Sequence, residues 1–161
     1  MTPYGQWPER IPRAGVRLCI PGTEWTASWV GETDIAYSDL PGANPDGFGC
    51  AELKDLWDVG VKPQEGGHRP GLKVLELRGE ECALIIIPRS EMGWSASPWS
   101  ERELAQAGHW EDLSESNRTF VWLDAVQDGI GTRSCGPDAR PEFGARMAAR
   151  TMEFILCVTD L

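Results

Sequence analysis

No stretch of this 161-residue sequence stays apolar for long. The longest aliphatic run, Ala83 to Ile87, covers five residues, against the roughly 20 that a membrane-spanning helix needs. Met1 to Pro12 contains no apolar stretch, so the N-terminus does not read as a signal peptide. Basic residues are scarce, 15 Lys and Arg against 25 Asp and Glu for a formal net charge of −10. They are also scattered, as at Arg10, Arg13 and Arg17 or Arg146 and Arg150. A surface this acidic repels phosphate backbones, so nucleic acid is not an expected partner, and neither is a membrane. Only two histidines occur, His68 and His109, and neither has a second good ligand at metal-binding spacing on a regular element. Glu65 and His68 are separated by Gly66-Gly67, which argues against a helical E-x-x-H site and for a polar loop residue at His68. The five cysteines, Cys19, Cys50, Cys82, Cys135 and Cys157, are odd in number and include no C-x-x-C pair. That argues against a disulfide framework or zinc site, and for free thiols in a reducing cytoplasm. No metal and no cofactor is expected.

Tryptophan, glycine and proline are plentiful. The eight tryptophans supply large buried area as well as flat faces on which sugars can stack. At strand-like spacing most of them are expected in the core. The 18 glycines and 12 prolines are spread along the chain, as in a fold of many short strands joined by loops. Val16, Leu18 and Ile20 alternate with Arg17 and Cys19, a half-buried strand ended by Pro21-Gly22. Trp25 to Val30 is a second strand, with Trp25, Ala27 and Trp29 on one face. Asp39 to Gly49, rich in Pro, Gly, Asn and Asp, reads as a loop. Leu56 to Val61 reads as a short strand and Pro63 to Gly71 as a second loop. Leu72 to Leu77 and Cys82 to Ile87 flank Arg78-Gly79-Glu80-Glu81, a hairpin, and the Leu84 to Ile87 run suggests burial on both faces.

Ser100 with Glu103 is a capping box, Trp99 with Leu104 a hydrophobic staple, and Gly108 a C′ stop. The helix between them spans only about two turns and must pack on a sheet to persist. Thr119 to Val126 is a strand in which Phe120, Trp122 and Asp124 alternate against Val121, Leu123 and Ala125. Gly129 to Pro141 is a third loop. Arg150 to Val158 is the last strand, with Met152, Phe154, Leu156 and Val158 on one face. There is no fixed-period repeat and no low-complexity tract. The pattern is that of a single domain over 1–161, mostly β, an antiparallel sandwich with one short helix.

Catalytic motifs are missing. No G-x-S-x-G elbow supports a serine nucleophile. Cys135 in Ser134-Cys135-Gly136 is a lone cysteine beside a glycine. Gly129-Ile130-Gly131 opens no helix that could cradle a phosphate. Glycoside hydrolysis needs two carboxylates across the sugar ring. Glu65, Asp124, Asp128, Asp138 and Glu142 are available, and their spacing does not pair them.

Segment order says more than any one motif. Trp29 through Tyr37-Ser38-Asp39 resembles a W-x-G-x-G-P-x-E-N-Y-P-D stretch, one residue shorter. Lys62-Pro63-Gln64-Glu65-Gly66-Gly67-His68-Arg69 resembles a K-P-Q-E-N-G-N-R loop. Trp94-Ser95-Ala96-Ser97-Pro98-Trp99-Ser100, then Glu103-Leu104 and His109, resembles F-S-A-x-x-Y-(S/T)-x-x-x-L…H. Leu123-Asp124 through Asp128-Gly129-Ile130-Gly131, Ser134-Cys135-Gly136-Pro137 and Pro141-Glu142-Phe143 resembles D-x-x-Q-x-G-(I/L)-G…S-(W/C)-x-P…(P/A)-E-(Y/F). From about Pro12 onward, four such segments in this order resemble the C-terminal, small-chain region (domain 5) of bacterial β-galactosidases of glycoside hydrolase family 2.

The resemblance implies a galactose mutarotase-like β-supersandwich, of which this chain covers about the later half. It implies no catalytic residue here, because the family's catalytic glutamates lie in a separate TIM barrel. The family's last motif can carry a tryptophan that stacks on the sugar; the matching position here is Cys135, which offers no stacking face. The expected substrate-binding residues are Arg133, Ser134 and Cys135 at the tip of the third loop, with Arg133 able to donate several hydrogen bonds to hydroxyls. Expected partners are a β-galactoside or related sugar, the remaining domains of a β-galactosidase, and a second copy in a homodimer. The rival functions are a stand-alone carbohydrate-binding module and a purely structural or oligomerisation domain.

Overall fold

The computed structural model describes residues 2, 4–6, 8–35, 44–57, 60–114, 116–129, 137 and 140–161. Eight strands form within them: β1 (Arg13–Pro21), β2 (Thr26–Glu32), β3 (Asp46–Glu52), β4 (Val74–Arg78), β5 (Cys82–Pro88), β6 (Gly93–Ser97), β7 (Arg118–Gln127) and β8 (Phe154–Asp160). They make a three-stranded sheet of order β1-β7-β6 and a five-stranded sheet of order β3-β2-β4-β5-β8, with every pairing antiparallel. The expected β-sandwich is present.

Strand alternation builds the core. Ala27 and Trp29 of β2, Leu75 and Leu77 of β4, and Leu84 and Ile86 of β5 point inward, and Val121 and Leu123 of β7 with Trp94 of β6 meet them from the other sheet. Leu75, Leu77, Ile86, Val121 and Leu123 are fully buried, each stabilising by about 1.5–3 kcal/mol through removal from water. The Trp29 and Trp94 rings meet edge to face with centroids 5.4 Å apart, which places β6 over β2. Trp25 and Trp29 keep their indole N–H groups satisfied by donating to the carbonyls of Pro21 (3.0 Å) and Glu32 (3.1 Å). Trp122 is also buried, whereas Trp57, Trp99 and Trp110 are only partly so.

Several boundaries differ from the sequence reading. The loop expected to Gly49 gives way to strand β3 at Asp46, where Gly49 serves as a platform. A Cβ on Gly49 would stand 2.1 Å from the Trp29 ring that lies across it. Leu56 to Val61 forms no strand among its described residues. The chain turns instead through a 3-10 turn at Leu53–Asp55, held to the residue before β2 by the Leu53 N–H donating to the Trp25 carbonyl at 2.9 Å. Strand β6 has no β-branched residue to announce it and exists by pairing along β7. Strand β8 begins at Phe154 rather than Arg150.

The hairpin β4–β5 forms; Leu84 and Ile86 are buried on the inner face, while on the outer face Ala83 is buried and Ile85 and Ile87 only partly so. Helix α1 (Glu101–Gln106) carries the expected capping box. Its end is not set by a left-handed glycine: Ala107 is already extended, and Gly108 is not among the residues of positive φ. The turn is fixed by Asp112, which accepts from the N–H groups of Gly108 and His109 at 2.9 Å each. Cys19, Cys50, Cys82 and Cys157 are free thiols.

Candidate functional site

Charge gathers on the outer face of the three-stranded sheet. Asp124 of β7 is 1% exposed there and pairs across the sheet with Gly15 on one side and Gly93 on the other. Both glycines make room. A Cβ at Gly15 would lie 2.3 Å from the Leu123 carbonyl and 2.6 Å from Asp124 Oδ1, and one at Gly93 would lie 2.4 Å from the His68 ring. The register shifts between Ala14 and Gly15, with Ala125 as the extra residue, so β7 is bulged beside Asp124, as strands are where they must re-aim a side chain.

Arg13 holds the cluster together. Its Nη2 donates to Asp124 Oδ2 and to Gln127 Oε1, each at 3.0 Å, and its Nη1 pairs with Glu65 Oε2 at 2.5 Å. The guanidinium also lies 5.4 Å from the centre of the Trp122 ring, a cation–π contact. Nδ1 of His68 lies 3.6 Å from Asp124 Oδ2. Burial pushes the Glu65 carboxyl above its ordinary value, against the pull of Arg13 and with help from the negative charges of Glu101 and Asp124. Arg13, Trp122 and Asp124 of the cluster also line a cleft of about 640 Å³ beside β1, together with Ala14 to Arg17, Glu101, Met147, Ala148 and Arg150.

One loop delivers two of these groups. Arg69 is buried, stacks 5.3 Å from the Trp29 ring centre and 5.8 Å from that of Trp94, and donates to the Gly67 carbonyl at 2.8 Å. It anchors the Lys62–Arg69 segment in the core. Gly67, at φ +75°, then turns the backbone in a way that a residue with a Cβ resists. From the two ends of a diglycine, Glu65 thereby reaches Arg13 and His68 reaches Asp124.

His68 was expected to be a polar loop residue; it is 5% exposed and faces a buried carboxylate. Arg13 was missed altogether, since a single arginine at the start of a strand carries no local signal. Of the other carboxylates, Asp128 pairs with Arg10 at 2.7 Å and accepts from the Ala145 N–H at 2.7 Å. Glu142 lies 3.9 Å from Arg140. Asp138 lies outside the described residues, as do Arg133, Ser134, Cys135 and the Tyr37 to Asp39 end of the first motif. Gln127, at the end of β7 and bound to Arg13, marks where the chain leaves the cluster toward that third loop.

A second grouping is aromatic. Trp57, Trp99 and Trp110 pack with ring centres 4.2, 4.9 and 6.4 Å apart. Trp99 and Trp110 donate to the carbonyls of Ser114 (2.7 Å) and Gly60 (2.8 Å), which ties the segment after β6 to the segment after β3. Among the described residues no group of three or more His, Cys, Asp or Glu side chains could hold a metal ion, and no helix is long and apolar enough to cross a membrane.

Comparison with known proteins bears on the same segments. A family model described as beta galactosidase small chain matches residues 2–157. The β-galactosidase of Arthrobacter sp. (strain B7) is 33% identical over 159 residues, which cover 94% of this chain and 16% of that enzyme. The β-galactosidase of Staphylococcus xylosus is 26% identical over 146 residues, 89% of this chain and 14% of that protein. That of Actinobacillus pleuropneumoniae is 27% identical over 134 residues, 83% of this chain and 13% of that protein. The chain therefore spans less than one-sixth of the length of each of these relatives.

Proposed function

The chain belongs to the beta galactosidase small-chain family, and on that premise we propose that it is a non-catalytic β-domain of a β-galactosidase-type enzyme of glycoside hydrolase family 2. In this reading it assembles with the remaining domains and helps shape a β-galactoside site that those domains mainly build. The observation that carries the reading is the state of its carboxylates. A glycosidase needs two carboxyl groups that can both reach the sugar. Glu65 is reachable, and burial tunes it toward a proton donor. Its neighbour Asp124 borders the cleft but is 1% exposed and engaged by Arg13, which disfavours attack on a sugar or activation of a water beside one. The cluster instead acts as a brace that fixes the end of β7. From there the third loop would present Arg133, Ser134 and Cys135 to the sugar. Exposed thiols at Cys19, Cys50 and Cys157 suit work in a reducing cytoplasm.

The purified chain should release no chromophore from a chromogenic β-galactoside. Turnover that Glu65→Gln or Asp124→Asn abolishes would overturn the non-catalytic assignment. A second reading, a stand-alone carbohydrate-binding module, is favoured by the three partly exposed tryptophans alone. NMR titration with lactose separates the two. Shifts at Arg133, Ser134 and Cys135 support the loop, whereas shifts at the Trp57, Trp99 and Trp110 indoles with a silent loop support the module.

A further inference from the structure

Strand β7 ends at Gln127, and the third loop begins just beyond Asp128. The chain returns at Ala145, 17 residues after Asp128, and the two ends meet. The Asp128 N–H donates to the Pro12 carbonyl at 2.8 Å. Its carboxylate serves two other segments. Oδ1 accepts from the Ala145 N–H at 2.7 Å, on the returning arm. Oδ2 accepts from Arg10 Nη2 at 2.7 Å, on the stretch before β1. One side chain thus joins the start of the loop, its end and the segment that runs into β1.

The pieces it joins are built to receive it. Arg10 and Arg146 form an antiparallel bridge, with the Ile11 N–H donating to the Ala145 carbonyl (2.9 Å) and the Met147 N–H to the Glu9 carbonyl (3.2 Å). Ile11 and Ala145 are both buried. A Cβ on Gly144 would lie 2.7 Å from Arg10 Nε and 3.1 Å from its Cδ, so a glycine there lets the Arg10 side chain cross the returning backbone on its way to Asp128. The side chains of Arg10 and Asp128 are 27% and 19% exposed, so this charge-assisted pair is only partly screened by solvent. A carboxylate suits the position because both of its oxygens accept. An asparagine would turn its NH2 group toward either Arg10 or the Ala145 N–H, each of which is itself a donor. The arrangement is separate from the Arg13–Asp124 brace, which holds β7 and does not reach the returning arm.

We propose that Asp128 is a positioning residue for sugar contact: it clasps the two ends of the third loop, so that Arg133, Ser134 and Cys135 are carried on a fixed base. The proposal rests on the loop reading above and names what holds that loop in place. Bringing two chain ends together costs conformational entropy. A clasp that meets this cost during folding leaves less to be lost when a ligand binds. Asp128 uses both oxygens on Ala145 and Arg10, and so acts through the loop rather than on the sugar. The backbone bonds of Ile11 and Met147 hold the returning arm without it, so its removal loosens the base of the loop and leaves the sandwich folded.

The test titrates the full chain with lactose and follows the Arg133, Ser134 and Cys135 amides by NMR, beside amide hydrogen exchange at Ala145. Asp128→Ala should raise the lactose Kd about tenfold or more and speed exchange at Ala145 by a similar factor, with the circular dichroism unchanged. Arg10→Ala should move the Kd in the same direction, and the double variant should bind no more weakly than Asp128→Ala alone, because the two residues act through one clasp. Asp128→Asn, which keeps one acceptor, should fall between. A residue that only supports the fold lowers the melting temperature and leaves the Kd of the folded protein where it was. That result overturns the proposal, while lactose shifts at the loop of the parent keep the loop reading standing. If Asp128→Ala misfolds, the Kd values of Asp128→Asn and Arg10→Ala decide on the same terms. Lactose that moves no amide of the loop in the parent overturns the loop reading and the proposal with it.

Discussion

Strands β7 and β8 are written alike and end up differently. Each alternates large apolar residues with other residues, Val121 and Leu123 in the one, Leu156 and Val158 in the other. In β7 six consecutive residues, Thr119 to Asp124, are buried; in β8 every residue after Phe154 is exposed. The difference lies in the neighbours. β7 has β1 and β6 on its two edges, the wide sheet against its inner face, and arginines over its outer face: Arg13 over Trp122, and Arg17 and Arg118 over Phe120. β8 has β5 on one edge, and past Phe154 its inner-face residues Leu156 and Val158 are left exposed among the described residues. Residue type makes a strand possible, but placement in the sheet decides what its burial is worth.

Three substitutions probe that contrast, taken from the largest expected effect to the smallest. Asp124→Ala removes the fully buried one of the two carboxylates that the largely buried Arg13 guanidinium engages. Removing one partner of a buried pair costs roughly 3–5 kcal/mol, so the urea midpoint should fall steeply; a loss under about 1 kcal/mol, the scale of a surface ion pair, would mean the cluster is not the brace of β7. Leu123→Ala against Leu156→Ala comes next. The first should cost about 2–5 kcal/mol as a cavity in a closed core, and the second under about 1 kcal/mol in the isolated chain because its side chain is already wet. Equal losses would erase the distinction between the two strands.

The smallest effect belongs to Glu65→Gln. The folded-state pKa of Glu65 is raised, with burial as the main cause. A carboxyl of this kind contributes its stability below the ordinary value of 4.5 and loses it as pH rises through the folded pKa. At neutral pH the ionised group is therefore a slight liability that its partial exposure keeps small. The variant should melt at or slightly above the parent at pH 7 and show no advantage below pH 4.5. A variant clearly less stable at pH 7 would show that the Arg13 pairing outweighs burial.

Much of the fold could be read from local pattern. Alternation at Val16 to Ile20 and at Trp25 to Trp29, the hairpin around Gly79, and the Ser100–Glu103 box all appear where the residues placed them. The misreadings share a cause. Gly47 and Gly49 look like loop residues until the Trp29 ring is seen lying across Gly49. Trp94 to Ser97 has no strand signal until β7 is beside it. Ile85 and Ile87 look fully buried until the outer face of the wide sheet proves only partly covered. Each depends on a neighbour distant in sequence. The site was less legible still. Glu65, His68 and Asp124 fall within motifs whose order resembles the family, but Arg13, the residue that joins Glu65 to Asp124, carries no motif.

The sequence by itself determined which segments could be strands, where the one helix begins, and the order of motifs that leads to the family, because these follow from alternation, capping and short spacings along the chain. Tertiary structure alone decided that β7 is buried and β8 is not, and that Arg13 meets Asp124 across a separation of 111 residues. The physical reason is range. Backbone preference and side-chain periodicity act over a few neighbouring residues, whereas burial and charge pairing depend on what another part of the chain brings into contact.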